Sequence, residues 1–409
     1  MTAAGSGFVA SSVLTLALAA CEGGDSAGGA SVARDSAGVR IVESSAPRWT
    51  DRTRWRVDAE PVLDLGGGPN PAEPYLYQRI IGVMRLDDGR LLVTDGQAAE
   101  LRFYDAEGRH LRTSGGHGDG PGEMRVAYGI WRRQGDTLVV SAFGAQLHEF
   151  APSGDYVRSW RAPGVAASPS GMMNTDVVLR DGSLIVTTPP VFTTVIDGRP
   201  QFAAQDSSDL FIVDPLAADS ARLLLRHPSR PRIDGKVPVF GSMSRIAAAE
   251  RHVVYGMSDE FALSWYGTNG RLERIYRRAW EPVPVTDAVQ ADYRETNLAE
   301  VENIPPQLQA GRRRQIAEAV FAPHFPAFDR LLVDRVGNLW VQLPRTDGRR
   351  GTRDIATEWS VFDTSGVWLG EVTMPVGIDV REIGDGYVAA VWQDELDVHH
   401  ARVYELTKP

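Results

Sequence analysis

The sequence predicts an all-β fold: a six-bladed β-propeller with a short helical insertion between blades four and five. Three observations carry this. A unit of strand-length apolar runs and glycine turns recurs at a fixed interval. Gly89 and Gly135 stand 46 residues apart, Gly108 and Gly154 again 46, and Gly135 and Gly182 47. A period of this size, filled with short strands, marks repeated four-stranded blades. Weaker copies continue toward the C-terminus until six can be counted. One stretch, 285–322, breaks the strand alternation and carries helical spacing instead.

Blade one is the clearest copy, with strands expected over 78–86, 90–94, 100–105 and 111–114. Asp88-Gly89 and Asp105-Ala106-Glu107-Gly108 are its turns. Blade two opens at Arg125–Trp131 and turns at Pro152-Ser153-Gly154. Blade three holds 174–179, Leu184-Ile185-Val186 and Leu210–Val213, with an insertion at about 189–208 between its second and third strands. Blade four is looser, built on 244–246, 252–255 and 262–266. Blade five holds 328–334, 339–341 and 359–363, and blade six 377–383, 387–392 and 400–406.

In the insertion, Thr286 can cap a helix with Asp287 in its first turn. Pro305-Pro306 starts a second helix carrying Leu308, Ile316 and Val320. Arg312-Arg313-Arg314 lies on that helix, where a solvated face is expected rather than an anionic docking patch. Blade six shows only three strands, and a free sheet edge is sticky. The segment Trp55–Leu65, with Pro61 marking an edge or bulged strand, is therefore expected to supply its fourth strand and close the ring. Val39–Glu43 is a further strand candidate.

Composition narrows the function classes. The 409 residues carry 43% hydrophobic and 23% charged side chains and a net charge of −10. The basic residues are nearly all arginine, Lys236 and Lys408 being the lysines. The acidic balance argues against a nucleic-acid partner. A single cysteine, Cys21, excludes a disulfide framework and a Cys-based zinc site.

Cys21 closes the apolar run FVASSVLTLALAA at 8–20, too short to span a bilayer as a mature helix. Leu18-Ala19-Ala20-Cys21 resembles the lipobox of bacterial lipoproteins. That resemblance implies a signal peptide over 1–20, cleavage before Cys21, and acylation of that cysteine. Met1–Gly7 lacks the usual basic residues. Glu22 follows the cysteine, where aspartate is associated with inner-membrane retention, so a lipid-anchored protein of the cell envelope is expected, with the outer membrane favoured. More than one acyl chain would hold it stably. Residues 21–37, rich in Gly, Ser and Ala, are expected to form a flexible tether of about 20–25 Å. The propeller is assigned to 38–409.

The chain as a whole resembles bacterial six-bladed β-propeller lipoproteins related to NHL repeats. The features that carry this are the lipobox, Trp55 with Pro61-Val62-Leu63-Asp64-Leu65-Gly66, and Gly89-Arg90-Leu91-Leu92-Val93-Thr94-Asp95. Phe103-Tyr104-Asp105-Ala106-Glu107-Gly108 and Gly118-Asp119-Gly120-Pro121-Gly122-Glu123 complete them. The resemblance implies a fold and little chemistry.

The loop Gly115–Gly122 lacks the Lys-Ser/Thr end of a P-loop and opens no helix, so it reads as a connection between blades. Polar residues expected to line the central channel are Gln78, Arg79, Asn174, Arg245, Asp329, Asp379 and Arg381. Calcium-binding propellers of the gluconolactonase and regucalcin type hold the ion there with oxygen ligands from different blades. By that analogy Asn174, Asp329 and Asp379 are the alternative calcium ligands, although arginines on the same strands are ready partners for the carboxylates. His399 and His400, adjacent on a strand, point to opposite faces. No G-x-S-x-G elbow is present. The expectation is a non-catalytic, monomeric binding or scaffold module for a protein, peptide or glycan. The alternative is a calcium-dependent hydrolase or lactonase, with its site in the channel.

Overall fold

The computed structural model describes residues 30–67, 72–144, 146–161, 174–187, 191–196, 199–204, 207–217, 221–228, 230–349 and 354–409. Of 174–176 and 191–204 it describes the backbone alone. The expected signal peptide, the lipobox-like Leu18-Ala19-Ala20-Cys21 included, lies outside the described residues.

Six sheets follow one another along the chain. Blade one is Ile80–Arg85, Leu91–Asp95, Glu100–Tyr104 and His110–Gly115. Blade two is Ala127–Arg132, Leu138–Ala142, Gln146–Phe150 and Tyr156–Arg161. Blade three is Asn174–Val178, Leu184–Thr187, Ser207–Val213 and Arg222–Pro228. Blade four is Ser244–Ala249, His252–Met257, Ala262–Gly267 and Leu272–Arg278. Blade five is Arg330–Val333, Leu339–Gln342, Glu358–Phe362 and Trp368–Thr373. Blade six is Asp379–Ile383, Tyr387–Gln393 and His399–Thr407. All pairings within these blades are antiparallel.

Each blade packs its apolar side chains on the next, so its middle strands are buried on both faces. Leu91–Asp95 is buried at every position, which is why it reads as a continuous apolar run rather than an alternation. Six apolar clusters fill the six seams. Leu92, Phe103, Ile130 and Phe150 lie between blades one and two, and Leu263, Trp265, Phe328 and Phe362 between four and five. Trp340, Trp359, Val388 and Tyr404 lie between five and six. The ring closes through Tyr77, Ile80, Tyr104, Tyr387 and Val391 between six and one.

The outer edge of blade six is covered by N-terminal chain. Leu63–Leu65 pairs antiparallel with Val403–Ala401, and Arg56–Val57 pairs with Thr407–Leu406. The pairing breaks between them, around Pro61. Asp64 accepts hydrogen bonds from His400 Nδ1 at 2.7 Å and Arg402 Nε at 2.8 Å. Gly108 sits under this strand at φ +83°, and a Cβ there would stand 2.8 Å from Leu63 and Leu65 methyl carbons. Its repeat position therefore serves both the turn and the closure.

The segment 21–37 expected as a tether includes a strand, Ser31–Ser36. It forms a hairpin with Val39–Ser44, which pairs in parallel with the outer strand of blade four. Val42 thereby enters the core between blades four and five. The polar alternation of Ser31–Ser36 hid it: five of its six residues are exposed, so it contributes backbone pairing rather than apolar area.

The insertion holds α1 (Asp287–Glu300) and α2 (Pro306–Ala317), after blade four in the chain. Thr286 caps α1, its side chain accepting from Val289 N. Val285, Val289, Tyr293 and Phe321 pack with Phe240 and Phe325 in a small core of their own. Ile316 is buried, whereas Leu308 is 57% exposed. Arg312 is bound to Asn297 and Gln315, and Arg313 to Glu302. These contacts match a solvated helix face.

One buried group makes stability depend on pH. His148 is 3% exposed on the third strand of blade two, and neither ring nitrogen is hydrogen-bonded within the protein. Burial pushes its pKa down from the ordinary value. Below about pH 6.5 the unfolded chain takes up a proton that the folded chain refuses, so stability is lost as pH falls. His148→Leu should flatten this loss, measured as the difference in urea midpoint between pH 7.5 and 5.5 relative to wild type.

Candidate functional site

The six inner strands run in the same sense around a central channel, whose faces are set by strand order. The entry face lies at the start of the inner strands. It also carries the connections from second to third strand, since Asn174 pairs with Thr187. Both insertions leave from this face. The 189–208 insertion forms a hairpin, Val191–Ile196 with Arg199–Ala204, after the second strand of blade three. The helical insertion returns to the chain just before Arg330.

At the base of the helical insertion is a cleft of about 210 Å³. Phe240, Phe325, Leu343 and Ile355 supply apolar walls, and Asp329, Arg330, Gln342, Arg345 and Asp379 the polar groups. Arg345 is held by Asp347 and Asp354 from its own loop. Ile355 on the same cleft wall is exposed, as are Val376, Phe143 and Leu396 on other connections of this face.

Two of the three candidate calcium ligands, Asp329 and Asp379, have arginine neighbours. Arg330 Nη1 donates to Asp379 Oδ1 at 2.9 Å, and Arg381 Nη2 to Oδ2 at 2.7 Å. Both carboxylate oxygens therefore face guanidinium groups, which repel a cation. Arg245 lies 3.9 Å from Asp329. Of Asn174 only the backbone is described, as the first residue of its inner strand. Among the described residues no group of three or more His, Asp, Glu or Cys could hold a metal ion.

The other expected channel residues divide. Arg245 and Arg381 line the central cavity of about 810 Å³, together with Arg330. Asp329 and Asp379 line the entry cleft instead. Gln78 and Arg79 are exposed ahead of the inner strand, and their backbone N–H groups are caught by buried Asp95 at 2.7 and 3.1 Å. Sequence reasoning missed Ile81, Tyr128, Trp131 and Arg132, all on the cavity wall. Ile81, Tyr128 and Arg381 each occupy the extra position of a register shift in an inner strand. A bulge re-aims one side chain and breaks the period of two, so alternation alone could not have found Ile81 and Tyr128.

The far mouth of the channel is tied by an ionic network. Arg132, with a side chain 6% exposed, meets Glu382 at 2.8 Å and Asp136 at 3.3 Å. It also donates to the Arg85 carbonyl at 2.8 Å. Tyr387 donates to Glu382, and Arg335 pairs with Asp87. The Arg335 hydrogen bond holds the Asp87 carboxyl below its ordinary pKa, and burial pushes the Tyr387 phenol up.

The glycine-rich connection Gly115–Gly122 carries its own anion. Gly120 N donates to Glu123 Oε2 at 2.9 Å, and a Cβ at Gly118 would lie 1.8 Å from that oxygen. The glutamate of the GDGPGE motif fills the cradle that its glycines make. His400 is buried against Asp64, whereas His399 meets Gln393, so the two histidines share no site.

No protein-family model matches the chain, and no curated protein sequence matches it. Three solved structures illustrate its structural likenesses. A member of the DUF4221 family from Bacteroides vulgatus is 11% identical with a TM-score of 0.48, over 88% of this chain and 100% of that one. A gluconolactonase from Xanthomonas campestris is 14% identical with a TM-score of 0.41, over 81% and 87%. A calcium-binding regucalcin from Agrobacterium tumefaciens is 10% identical with a TM-score of 0.38, over 82% and 94%. Likenesses this distant carry no argument about function, and the propeller is read from the chain's own strand pairing.

Proposed function

We propose that this chain is a lipid-anchored binding module of the cell envelope, and that it takes a protein segment, peptide or glycan on its entry face without catalysing a reaction. The observation that carries this reading is that both insertions leave from one face, one of them beside a cleft of about 210 Å³. Rigid scaffolds place function on such loops. The cleft is sized for one side chain or one sugar ring rather than a whole partner, so neighbouring loops complete the contact. The domain acts as a monomer.

Ile355→Arg fills the cleft mouth with a charge from an exposed position. The protein immobilised over peptide and glycan arrays should retain ligands that this variant loses. Retained ligands that are indifferent to Ile355→Arg would overturn the cleft as the site. The hydrolase alternative needs calcium at Asn174, Asp329 and Asp379, and the arginines beside the two aspartates oppose it. Calcium at about 1 mM should leave Tm unchanged, whereas stoichiometric uptake with stabilisation would establish the alternative.

The anchor rests on the lipobox-like Leu18-Ala19-Ala20-Cys21. Cys21→Ser should move the protein from the membrane to the soluble fraction, and the outer-membrane fraction is where the wild type is expected. Membrane retention of the variant would refute lipidation.

A further inference from the structure

Between blades four and five the central cavity extends into a groove lined by His252, Trp265, Arg274, Val336 and Thr364. It lies apart from the entry cleft. Three features of this groove are unfavourable as they stand. Arg40 and Arg274 are directly paired residues on parallel strands, so their side chains leave the same face of the sheet. Like charges placed opposite each other repel. Neither arginine has an ion pair among the described residues. Arg274 lies over the Trp265 ring at 5.7 Å and reaches Tyr276 Oη at 3.5 Å. The Trp265 indole N–H is buried without a hydrogen-bond partner. A buried donor left unpaired costs about 1–3 kcal/mol and calls for an acceptor.

The carboxylates of the neighbouring strands and turns form no ion pair with Arg40 or Arg274 among the described residues. Asp363 is taken by Arg48 at 2.9 Å and by the amides of Ser365 and Val367. Glu273 is held by His252 at 3.0 Å. Asp35 faces Arg40 across the hairpin but makes no ion pair with it.

We propose that the outer rim of this groove, where exposed Arg40 of the added hairpin stands beside Arg274, is an oxyanion subsite that binds a carboxylate or phosphate group of a ligand between the two arginines, with the Trp265 indole N–H as a further donor. Guanidinium groups bind both oxyanions through paired N–H donors. The bound anion removes the repulsion between the arginines and gives the indole its acceptor. The indole N–H is covered by the protein surface, so an anion reaches it only if Trp265 turns.

The test is thermal unfolding of the full-length protein in detergent, at constant ionic strength made up with chloride. Inorganic phosphate and acetate are the two probes, and they separate the phosphate from the carboxylate source. Either anion at about ten times its Kd should raise Tm by about 1–2 °C, with saturation. Arg274→Gln should abolish the rise, and Arg40→Gln should weaken the affinity at least about threefold. Arg40 is exposed on the added hairpin, so its variant folds even if Arg274→Gln does not. In chloride alone, Arg40→Gln should raise Tm, because the repulsion is relieved. Ile355→Arg at the entry cleft should leave the response unchanged. No saturable rise with either anion up to about 50 mM, or an equal rise in the Arg40→Gln protein, overturns the subsite.

Discussion

Deletion of residues 38–65 should unfold the whole propeller rather than trim it. The segment looks peripheral in sequence, but it contributes to two seams. Val42 belongs to the core between blades four and five, and Leu65 to the core between six and one. Without Leu63–Leu65, the backbone of Ala401–Val403 becomes an exposed edge. His400 and Arg402 lose Asp64 together, and His400 is buried. Trp55 would no longer cover Trp340, whose ring it meets at 5.9 Å. A ring transmits such a loss, because each blade buries its apolar faces only against its neighbours. The expected result is loss of the cooperative thermal transition and of the near-ultraviolet circular dichroism of the tryptophans. A transition that survives a few degrees lower would show that the ring holds without its closing strand.

Glu382→Ala should be the most damaging single substitution at the far mouth of the channel. It removes the closest acidic partner of Arg132, whose side chain is 6% exposed, while Glu382 itself is 14% exposed. It also strips an acceptor from Tyr387 and from the Arg85 amide. Leaving a buried charge without its partner costs about 3–5 kcal/mol. Asp136, 3.3 Å away, keeps part of the compensation, so the lower half of that range is expected. The urea midpoint should fall with an unchanged slope. The double variant Arg132→Met, Glu382→Leu should recover most of the loss, since it removes both charges and keeps the volume. If Glu382→Ala costs less than about 1 kcal/mol, the network is held by its other members and Glu382 is dispensable.

Much of the architecture was legible because the signals are local. Gly89 and Gly108 take positive φ, +89° and +83°, as the turns of the repeat require. Thr286 was readable as a cap and Pro61 as a strand break for the same reason: each acts on backbone within a few residues. Ser31–Ser36 was illegible because an exposed polar strand has no apolar period, and only its partner chain reveals it. Leu308 had helical spacing and yet faces solvent, because what a helix buries depends on what it meets. In the candidate site, Asp379 was expected to line the channel and lies on the wall of the entry cleft instead. Its clamp between Arg330 and Arg381 depends on how blade six sits beside blade five.

By itself the sequence determined the repeat, the number of blades and the place of the helical insertion, since glycine turns and apolar runs constrain neighbouring residues. Its lipobox-like cysteine also stands as the expectation on which the anchor rests. Only the tertiary structure decided which charges meet. It put Glu123 into its own glycine loop, paired the channel carboxylates with arginines, and set Arg40 against Arg274, far along the chain, with no acid between them. Those encounters arise across blade seams and sheet edges. Their energies depend on distance and burial, which a one-dimensional period does not encode.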